Sequence, residues 1–293
     1  MFKNHPKGLI GAALSNMGER FGFYIMMAIL SLFLLSKFGL DKTSATIIYS
    51  VFYALIYILA LVGGLIADKT KKYKGTILIG LILMAVGYFL IAIPTPTPVP
   101  DLTLYLILTC LGLFVIAFGN GLFKGNLQAV VGQMYDDPKY TSKRDTGFQI
   151  FYLFFNIWGI FSPFIAVGIR NWWLQKHGYL YNSDISALSH EFLKGTISPE
   201  ASARFTELAT EVSKNGAPAD LAVFAKDYLN VFNTGFHYAF AAGIVAMLIS
   251  LVIFLSNKKK FPDPGAKAKA VASGQAPAEI KMDAAEVKQR IYA

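Results

Sequence analysis

Three charged side chains interrupt apolar stretches that are long enough to span a membrane: Glu19, Arg20 and Lys124. An ionisable group in such a span costs about 2.5 to 3.5 kcal/mol on the insertion scale, so each of the three is a candidate functional residue. With a rise of about 1.5 Å per residue, Glu19 and Lys124 are both expected about 16 Å into the membrane from the same side. A carboxylate and an ammonium at one depth could form an ion pair, and protonation of the carboxylate would weaken that pair.

Glu19 and Arg20 are neighbours in the sequence. Adjacent residues on a helix point about 100° apart, so we expect their side chains not to satisfy each other well. Lys124 is then the expected partner of Glu19, and Arg20 is left to hold an anionic group such as a carboxylate. A purely structural ion pair that holds the helices together is the alternative, but three charges at one depth exceed what such a clamp needs.

Uncharged polar residues fall at the same depth. Tyr57 and Asn156 are expected roughly 15 to 16 Å into their helices. They belong to faces of polar residues at helical spacing, which together predict a polar cavity. Helix packing and bridging are the alternatives for Tyr, Asn and Gln. The faces consist of Asn16, Glu19, Arg20, Phe23, Tyr24 and Met27; of Tyr49, Tyr53 and Tyr57; of Asn120, Lys124 and Gln128; and of Gln149, Tyr152 and Asn156.

The composition indicates which elements position these residues. The chain has 293 residues, of which 55% are apolar and 15% charged, and its mean hydropathy is +0.48. A soluble domain of this size could not bury so much apolar surface, and disordered, disulfide-rich and fibrous chains differ in composition. The single cysteine, Cys110, lies in an apolar run and indicates neither a disulfide nor a metal cluster. We therefore predict an all-α membrane protein.

Six stretches are apolar over the length of about 20 residues that a helix needs to cross a membrane. Twelve Lys and Arg residues lie in the segments that this topology places on the same side of the membrane as the N-terminus. The short loops on the other side of the membrane contain only Lys37 and Lys42. Because Lys and Arg concentrate in cytoplasmic loops, the N-terminus is predicted to be cytoplasmic, and the net charge of +9 indicates no nucleic-acid partner. The predicted spans are Gly8 to Leu35, Ala45 to Ala67, Gly75 to Ile93, Leu102 to Tyr135, Thr146 to Ile169 and Phe232 to Ser256.

Two polar segments lie outside these spans. Residues 170–231 are predicted to be external and to contain short helices, because their amphipathic spacing is broken by Gly and Pro. Residues 257–293 are predicted to form a flexible cytoplasmic linker that leads toward a missing C-terminal bundle. The predicted domains are therefore a six-helix transmembrane bundle at residues 1–256 and a linker at residues 257–293.

Other kinds of chemistry lack their motifs. The sequence contains no Walker-type phosphate loop, no HExxH motif and no metal-ligand spacing within a span. We expect no catalytic residues, no metal ion and no cofactor, and the protein is not expected to be an enzyme.

Four segments resemble the proton-dependent oligopeptide transporters, a branch of the major facilitator superfamily. The first-helix motif ExxERFxYY is similar to GERFGFY at residues 18–24, and the fourth-helix motif GxGxxKPN to FGNGLFKGNLQAVVGQMY at residues 118–135. The fifth helix of the family resembles FYLFFNIWGIFSP at residues 151–163. The loop between helices two and three of the superfamily resembles GGLIADKTKKYKG at residues 63–75.

The resemblance implies roles for individual residues. It places Glu19 and Lys124 in proton coupling, and it implies a gate or structural role for Asp68. The residues that it implies in substrate binding are Arg20, Tyr24, Tyr57, Lys124 and Asn156.

The sequence also departs from the family pattern. Asn16 replaces the first Glu of the motif, Phe23 replaces the first Tyr, Met27 replaces a nearby Arg, and Gly125 replaces the usual Pro. The loss of one carboxylate bears on proton coupling more than on transport itself.

The implied function is symport of di- and tripeptides with protons across the inner cell membrane, driven by the proton gradient and based on alternating access. Family members have two six-helix bundles and bind substrate between them. This chain is expected to be the N-terminal bundle of a major facilitator fold, either as a fragment or as a half-transporter that pairs with a second chain or with a second copy of itself. The alternatives are a transporter of another small solute (an amino acid, nitrate or a drug) and a membrane scaffold that transports nothing.

Overall fold

The computed structural model describes residues 4–265. Apart from one isolated bridge between Tyr179 and Ser213, this part of the chain contains no β-structure. The predicted linker therefore lies mostly outside the described residues. The α-helices are α1 (Leu9–Phe38), α2 (Lys42–Thr70), α3 (Tyr73–Ala92), α4 (Leu102–Gln133), α5 (Arg144–Lys176), α6 (Ile185–Lys194), α7 (Pro199–Val212) and α8 (Leu221–Asn257), and 3-10 turns cover Thr141–Lys143 and Lys258–Lys260.

Six of these helices, α1 to α5 and α8, are long and apolar enough to cross a membrane. This confirms the predicted number of spans. Aspartates cap the N-termini of three of them: Asp41, Asp101 and Asp220 each accept hydrogen bonds from backbone N–H groups in the first turn of α2, α4 and α8. α1 ends at Phe38 and is followed by Gly39, which has the left-handed conformation (φ 58°) that favours glycine.

Two helix boundaries differ from the prediction by more than three residues. α5 continues to Lys176 rather than ending at Ile169, and α8 begins at Leu221 rather than at Phe232. Hydropathy marks only the apolar part of a helix, whereas the helix itself continues until a residue interrupts it. Gly178, with a φ of 85°, follows the end of α5, and the cap at Asp220 precedes α8.

The long helices pack as two groups of three. α1 packs against α5 and α8, whereas α4 packs against α2 and α3. Contacts between α3 and α8 join the groups, and α1 and α4 touch over a short stretch. The predicted short helices of the 170–231 segment are confirmed as α6 and α7.

Glycines allow α4 to approach its neighbours closely. A Cβ atom at Gly63 of α2 would lie 2.2 Å from the carbonyl oxygen of Gly121, and one at Gly119 would lie 2.7 Å from that of Gly80 on α3. Small residues are typical of helix contacts in membranes, because they bring backbones together. The glycines therefore fix the position of α4, the helix that carries Asn120 and Lys124.

A buried polar network attaches α6 to the bundle. The His190 Nε2–H donates to the carbonyl oxygen of Ser36 at 2.7 Å, and the Asn233 amide donates to the same oxygen at 3.1 Å. The Ser36 hydroxyl donates to Asn233 Oδ1 at 2.8 Å. Burial lowers the pKa of His190, and the positive charge of Lys194 lowers it further, although its bond to Ser36 acts in the opposite direction.

We expect Gly63→Ala to destabilise the protein by about 1 to 3 kcal/mol, because the new methyl group would meet the backbone of α4. The adjacent Gly64 has no atom within 4 Å of its Cβ position. Gly64→Ala is therefore the matched control, and it should be neutral or stabilising by up to about 1 kcal/mol. Thermal unfolding in detergent measures both variants, and equal midpoints would contradict the close contact.

We expect the protein to lose stability as the pH falls below about 6.5, because unfolded His190 then binds a proton that the buried neutral imidazole does not. Above that pH this contribution is fully present. His190→Gln should reduce the difference between the thermal midpoints at about pH 7.5 and about pH 5.5. His177→Gln is the control, since His177 is exposed, and an equal reduction in that variant would contradict the assignment to His190.

Candidate functional site

The charged pair lies in the middle of α1. Glu19 is 1% exposed and Arg20 6% exposed. Arg20 donates from Nε to Glu19 Oε2 at 2.5 Å and from Nη2 to Glu19 Oε1 at 2.7 Å. Such a two-pronged contact between a guanidinium and a carboxylate is among the strongest hydrogen-bonded ion pairs.

This contact corrects two predictions, that Glu19 and Arg20 cannot satisfy each other and that Arg20 is left free. The angle of about 100° between neighbours describes where the side chains leave the helix, not where their ends lie. The Arg side chain is long and flexible enough for its guanidinium to reach back to the neighbouring carboxylate. The guanidinium also lies over the Phe23 ring, 4.6 Å from its centroid.

Lys124 is not the partner of Glu19 in this structure. Its Nζ lies over the Tyr57 ring, 4.5 Å from the centroid, and no carboxylate of the described residues is within 4.0 Å of it. Asn120, one turn earlier on α4, takes the predicted place and donates from Nδ2 to Glu19 Oε1 at 2.5 Å. The prediction placed Asn120 in a polar face by its spacing but assigned it no contact, because spacing along α4 does not give the distance to α1.

The other predicted binding residues, Tyr24, Tyr57 and Asn156, lie on α1, α2 and α5, and the side of the bundle on which Tyr57 is exposed is called its open side below. Tyr57 is 51% exposed, and its hydroxyl lies 3.0 Å from that of Tyr53. The Tyr24 ring packs on α5, where a Cβ atom at Gly159 would be 3.4 Å from Tyr24 Cε2. Asn156 precedes Gly159 by one turn of α5 and is exposed. The structure therefore brings Tyr24 beside α5 and leaves Tyr57 and Asn156 accessible.

Asp68 lies apart from this site, at the last turn of α2, where it is exposed. It accepts a short hydrogen bond from the Tyr73 hydroxyl, across the turn that joins α2 to α3. Nearby, Lys74 forms an ion pair with Asp263 at 2.9 Å. Within residues 4–265, no group of three or more His, Cys, Asp or Glu side chains could hold a metal ion.

The charges of the site leave one cation without an anion. Glu19 and Arg20 neutralise each other, and Lys124 adds a positive charge that is only partly buried. An aromatic face at Tyr57 stabilises this ammonium without neutralising it. The arrangement can therefore bind an anionic group at Lys124 on the open side of the bundle.

Comparison with known proteins identifies the class of protein to which this bundle belongs. The PTR2 model, described as the POT family, matches residues 74–276, which is more than half of the chain. The chain belongs to the POT family. With its six membrane-length helices, it is a multi-pass membrane protein.

Two relatives show the extent of the match. The chain is 32% identical over 187 residues to dipeptide and tripeptide permease B of Xenorhabdus bovienii, covering 63% of this chain and 35% of that protein. It is 35% identical over 172 residues to the di-/tripeptide transporter of Lactococcus lactis subsp. lactis, covering 56% of this chain and 32% of that protein. The chain spans about a third of the length of these relatives.

Solved structures share the fold. A peptide transporter POT in complex with sulfate superimposes with a TM-score of 0.59 at 23% identity, over 93% of this chain and 44% of that one. A POT family transporter in complex with 5-aminolevulinic acid gives a TM-score of 0.58 at 25% identity, over 89% and 40%. These matches confirm the all-α major facilitator fold, of which the chain covers the N-terminal portion.

We expect Arg20→Met to lower stability by about 3 to 5 kcal/mol, because it leaves the Glu19 carboxylate buried without its partner. Adding Glu19→Gln should recover part of that loss, and this recovery measures the coupling between the two residues. The matched double-mutant cycle, with Lys124→Met in place of Arg20→Met, should show weaker coupling to Glu19, since Lys124 is not in contact with Glu19. Thermal unfolding in detergent measures both cycles, and stronger coupling to Lys124 would contradict the observed pairing.

Proposed function

We propose that this chain forms the N-terminal wall of the binding site in a transporter that moves di- and tripeptides into the cell together with protons. Alternating access requires a second six-helix bundle to complete the site. The names of the relatives, a dipeptide and tripeptide permease and a di-/tripeptide transporter, support the substrate class. The observation that carries the proposal is that the buried Glu19 carboxylate is neutralised by Arg20, whereas the ammonium of Lys124 has no carboxylate partner among the described residues.

In this proposal Lys124 binds the carboxylate of the peptide. Arg20 is occupied by Glu19, so the free cation of the site is Lys124. Tyr24, Tyr57 and Asn156 supply hydroxyl and amide groups that suit a peptide backbone, which carries donors and acceptors.

Proton coupling is assigned to Glu19. A proton on its carboxylate removes the charge that holds Arg20, so the guanidinium gains freedom to bind the substrate or a group of the second bundle. The site would then have two arrangements, one with Arg20 bound to Glu19 and one with Arg20 released. Both the proton and the peptide would shift the equilibrium between them, which is the condition for coupling. No cofactor is proposed, because the proton gradient supplies the energy.

The membrane setting completes the proposal. The distribution of Lys and Arg supports a cytoplasmic N-terminus and an inner-membrane location. The ends of α2 and α3 that meet at Asp68 would then face the cytoplasm, where the hydrogen bond from Tyr73 supports a structural role for Asp68 at a gate. The exposed Tyr57 and Asn156 would face the second bundle.

A second candidate substrate is a small amino acid. The similar transporter that was solved with 5-aminolevulinic acid supports this candidate, because that ligand carries a carboxylate and an amine, as a peptide does. Competition between labelled dipeptide and 5-aminolevulinic acid in uptake assays separates the two substrate classes.

In the complete transporter, we expect Glu19→Gln to abolish proton-driven accumulation of labelled dipeptide. The amide imitates the protonated carboxylate permanently, so exchange of peptide down its own gradient should continue. Glu207→Gln removes an exposed carboxylate on α7 and is the control. If Glu19→Gln still concentrates peptide with an unchanged dependence on pH, the proton is carried elsewhere.

A further inference from the structure

We propose that Asn120 is a positioning residue that keeps Glu19 paired with Arg20 and thereby leaves the Lys124 ammonium at Tyr57, where it is available to an anionic group. Its role in transport rests on the proposed function, whereas the contact itself can be tested without transport. Asn120, Glu19 and Arg20 are each at most 6% exposed. The Asn120 amide and the Glu19 carboxylate also form a hydrogen bond between α1 and α4, two helices that touch over only a short stretch.

The hydrogen bonds that Glu19 accepts show what Asn120 contributes to the site. The carboxylate receives Arg20 at both oxygens and Asn120 at Oε1. An ionised carboxylate only accepts hydrogen bonds, so Asn120 must turn its NH₂ group toward it. With these donors in place, much of the accepting capacity of Glu19 is used.

The oxygen atom of the Asn120 amide also indicates that the contact with Glu19 determines how this side chain is placed. Asn120 Oδ1 is buried and has no hydrogen-bond partner among the described residues. A buried acceptor without a partner is unfavourable, so the amide orientation is set by its contact with Glu19 and not by Oδ1. The contact with Glu19 therefore outweighs an unsatisfied oxygen.

Lys124 is the competitor of Asn120. The two residues are four positions apart on α4, so their side chains leave the same face of the helix one turn from each other. An ammonium is a stronger donor to a carboxylate than an amide is. Without the Asn120 amide, Oε1 loses a donor, and the long Lys124 side chain is the nearby cation that can replace it.

The consequence concerns which cation meets the substrate. With Asn120 in place, Glu19 and Arg20 form a neutral pair and Lys124 rests on Tyr57. If Lys124 paired with Glu19, its charge would no longer be available to the substrate. A neutral residue thus determines where the positive charge of the site lies.

The test follows the position of Lys124 in this chain, in detergent and without transport. Lysine amines are reductively methylated with ¹³C-formaldehyde, and the Lys124 signal is assigned by its absence in Lys124→Arg. The Tyr57 ring should shift this signal, and Tyr57→Leu gives the position without the ring. We expect Asn120→Leu and Asn120→Asp to move the signal away from its wild-type position, because Lys124 is drawn from Tyr57 to the carboxylates.

Three further variants make the result decisive. Adding Glu19→Gln to Asn120→Leu should restore the wild-type signal, because the carboxylate that captured Lys124 is gone. Asn126→Leu removes another buried amide of α4, one that donates to the carbonyl oxygens of Gly63 and Leu122, and it should leave the signal in place. Glu19→Gln alone should also leave the signal in place, since Lys124 is not paired with Glu19 in the wild type. This variant tests the proposal even if the Asn120 variants fail to fold.

An unchanged signal in folded Asn120→Leu and Asn120→Asp would overturn the proposal, as would a large change in Glu19→Gln alone. In the complete transporter, Asn120→Leu should raise the KM for dipeptide roughly tenfold, the effect of losing a charge-assisted contact with the substrate. A wild-type transporter that carries no peptide would contradict the proposed function, while the spectroscopic result would stand.

Discussion

The pair of Glu19 and Arg20 is the interaction on which the arrangement of the site depends. A single charge in the interior of an apolar bundle costs several kcal/mol, and the two-pronged contact offsets that cost for both residues at once. Because both residues lie on α1, the two charges in the middle of this helix neutralise each other. The neighbouring helices then need to supply only weaker contacts, such as the amide of Asn120 and the aromatic ring of Tyr57 near Lys124.

The close packing of α4 makes those weaker contacts possible. An amide reaches a carboxylate only if the two backbones are held at a fixed distance, and Asn120 lies between two glycines that touch α3 and α2. Gly119 meets the backbone of α3, and Gly121 meets that of α2. The same three-residue stretch therefore contains both the packing contacts that position α4 and the polar group that reaches α1. This explains why small residues surround the polar group in GNG at residues 119–121.

Much of the fold could be predicted from the sequence, because membrane spans leave a strong signal in hydropathy. The six spans and the short helices between the fifth and sixth were predicted in this way. The extensions of α5 to Lys176 and of α8 back to Leu221 were not, since a helix end outside the membrane depends on caps and breakers. In the site, depth and spacing correctly brought α1 and α4 together, but the partner of Glu19 was wrong. Which donor reaches a carboxylate depends on rotamers and on distances of an ångström or two between helices, and neither is visible in residue spacing.

Two departures from the family pattern have opposite effects on the charge of the site. By the resemblance, Asn16 stands where the family has a Glu, and Met27 stands where it has an Arg. The first removes a negative charge and the second a positive one, so the two replacements together leave the net charge of this helix face unchanged. Asn16 is buried, and a carboxylate at that position would need a cation. With Asn16 neutral, no second carboxylate on α1 competes for Lys124, which supports our proposal that its ammonium is kept for an anionic substrate.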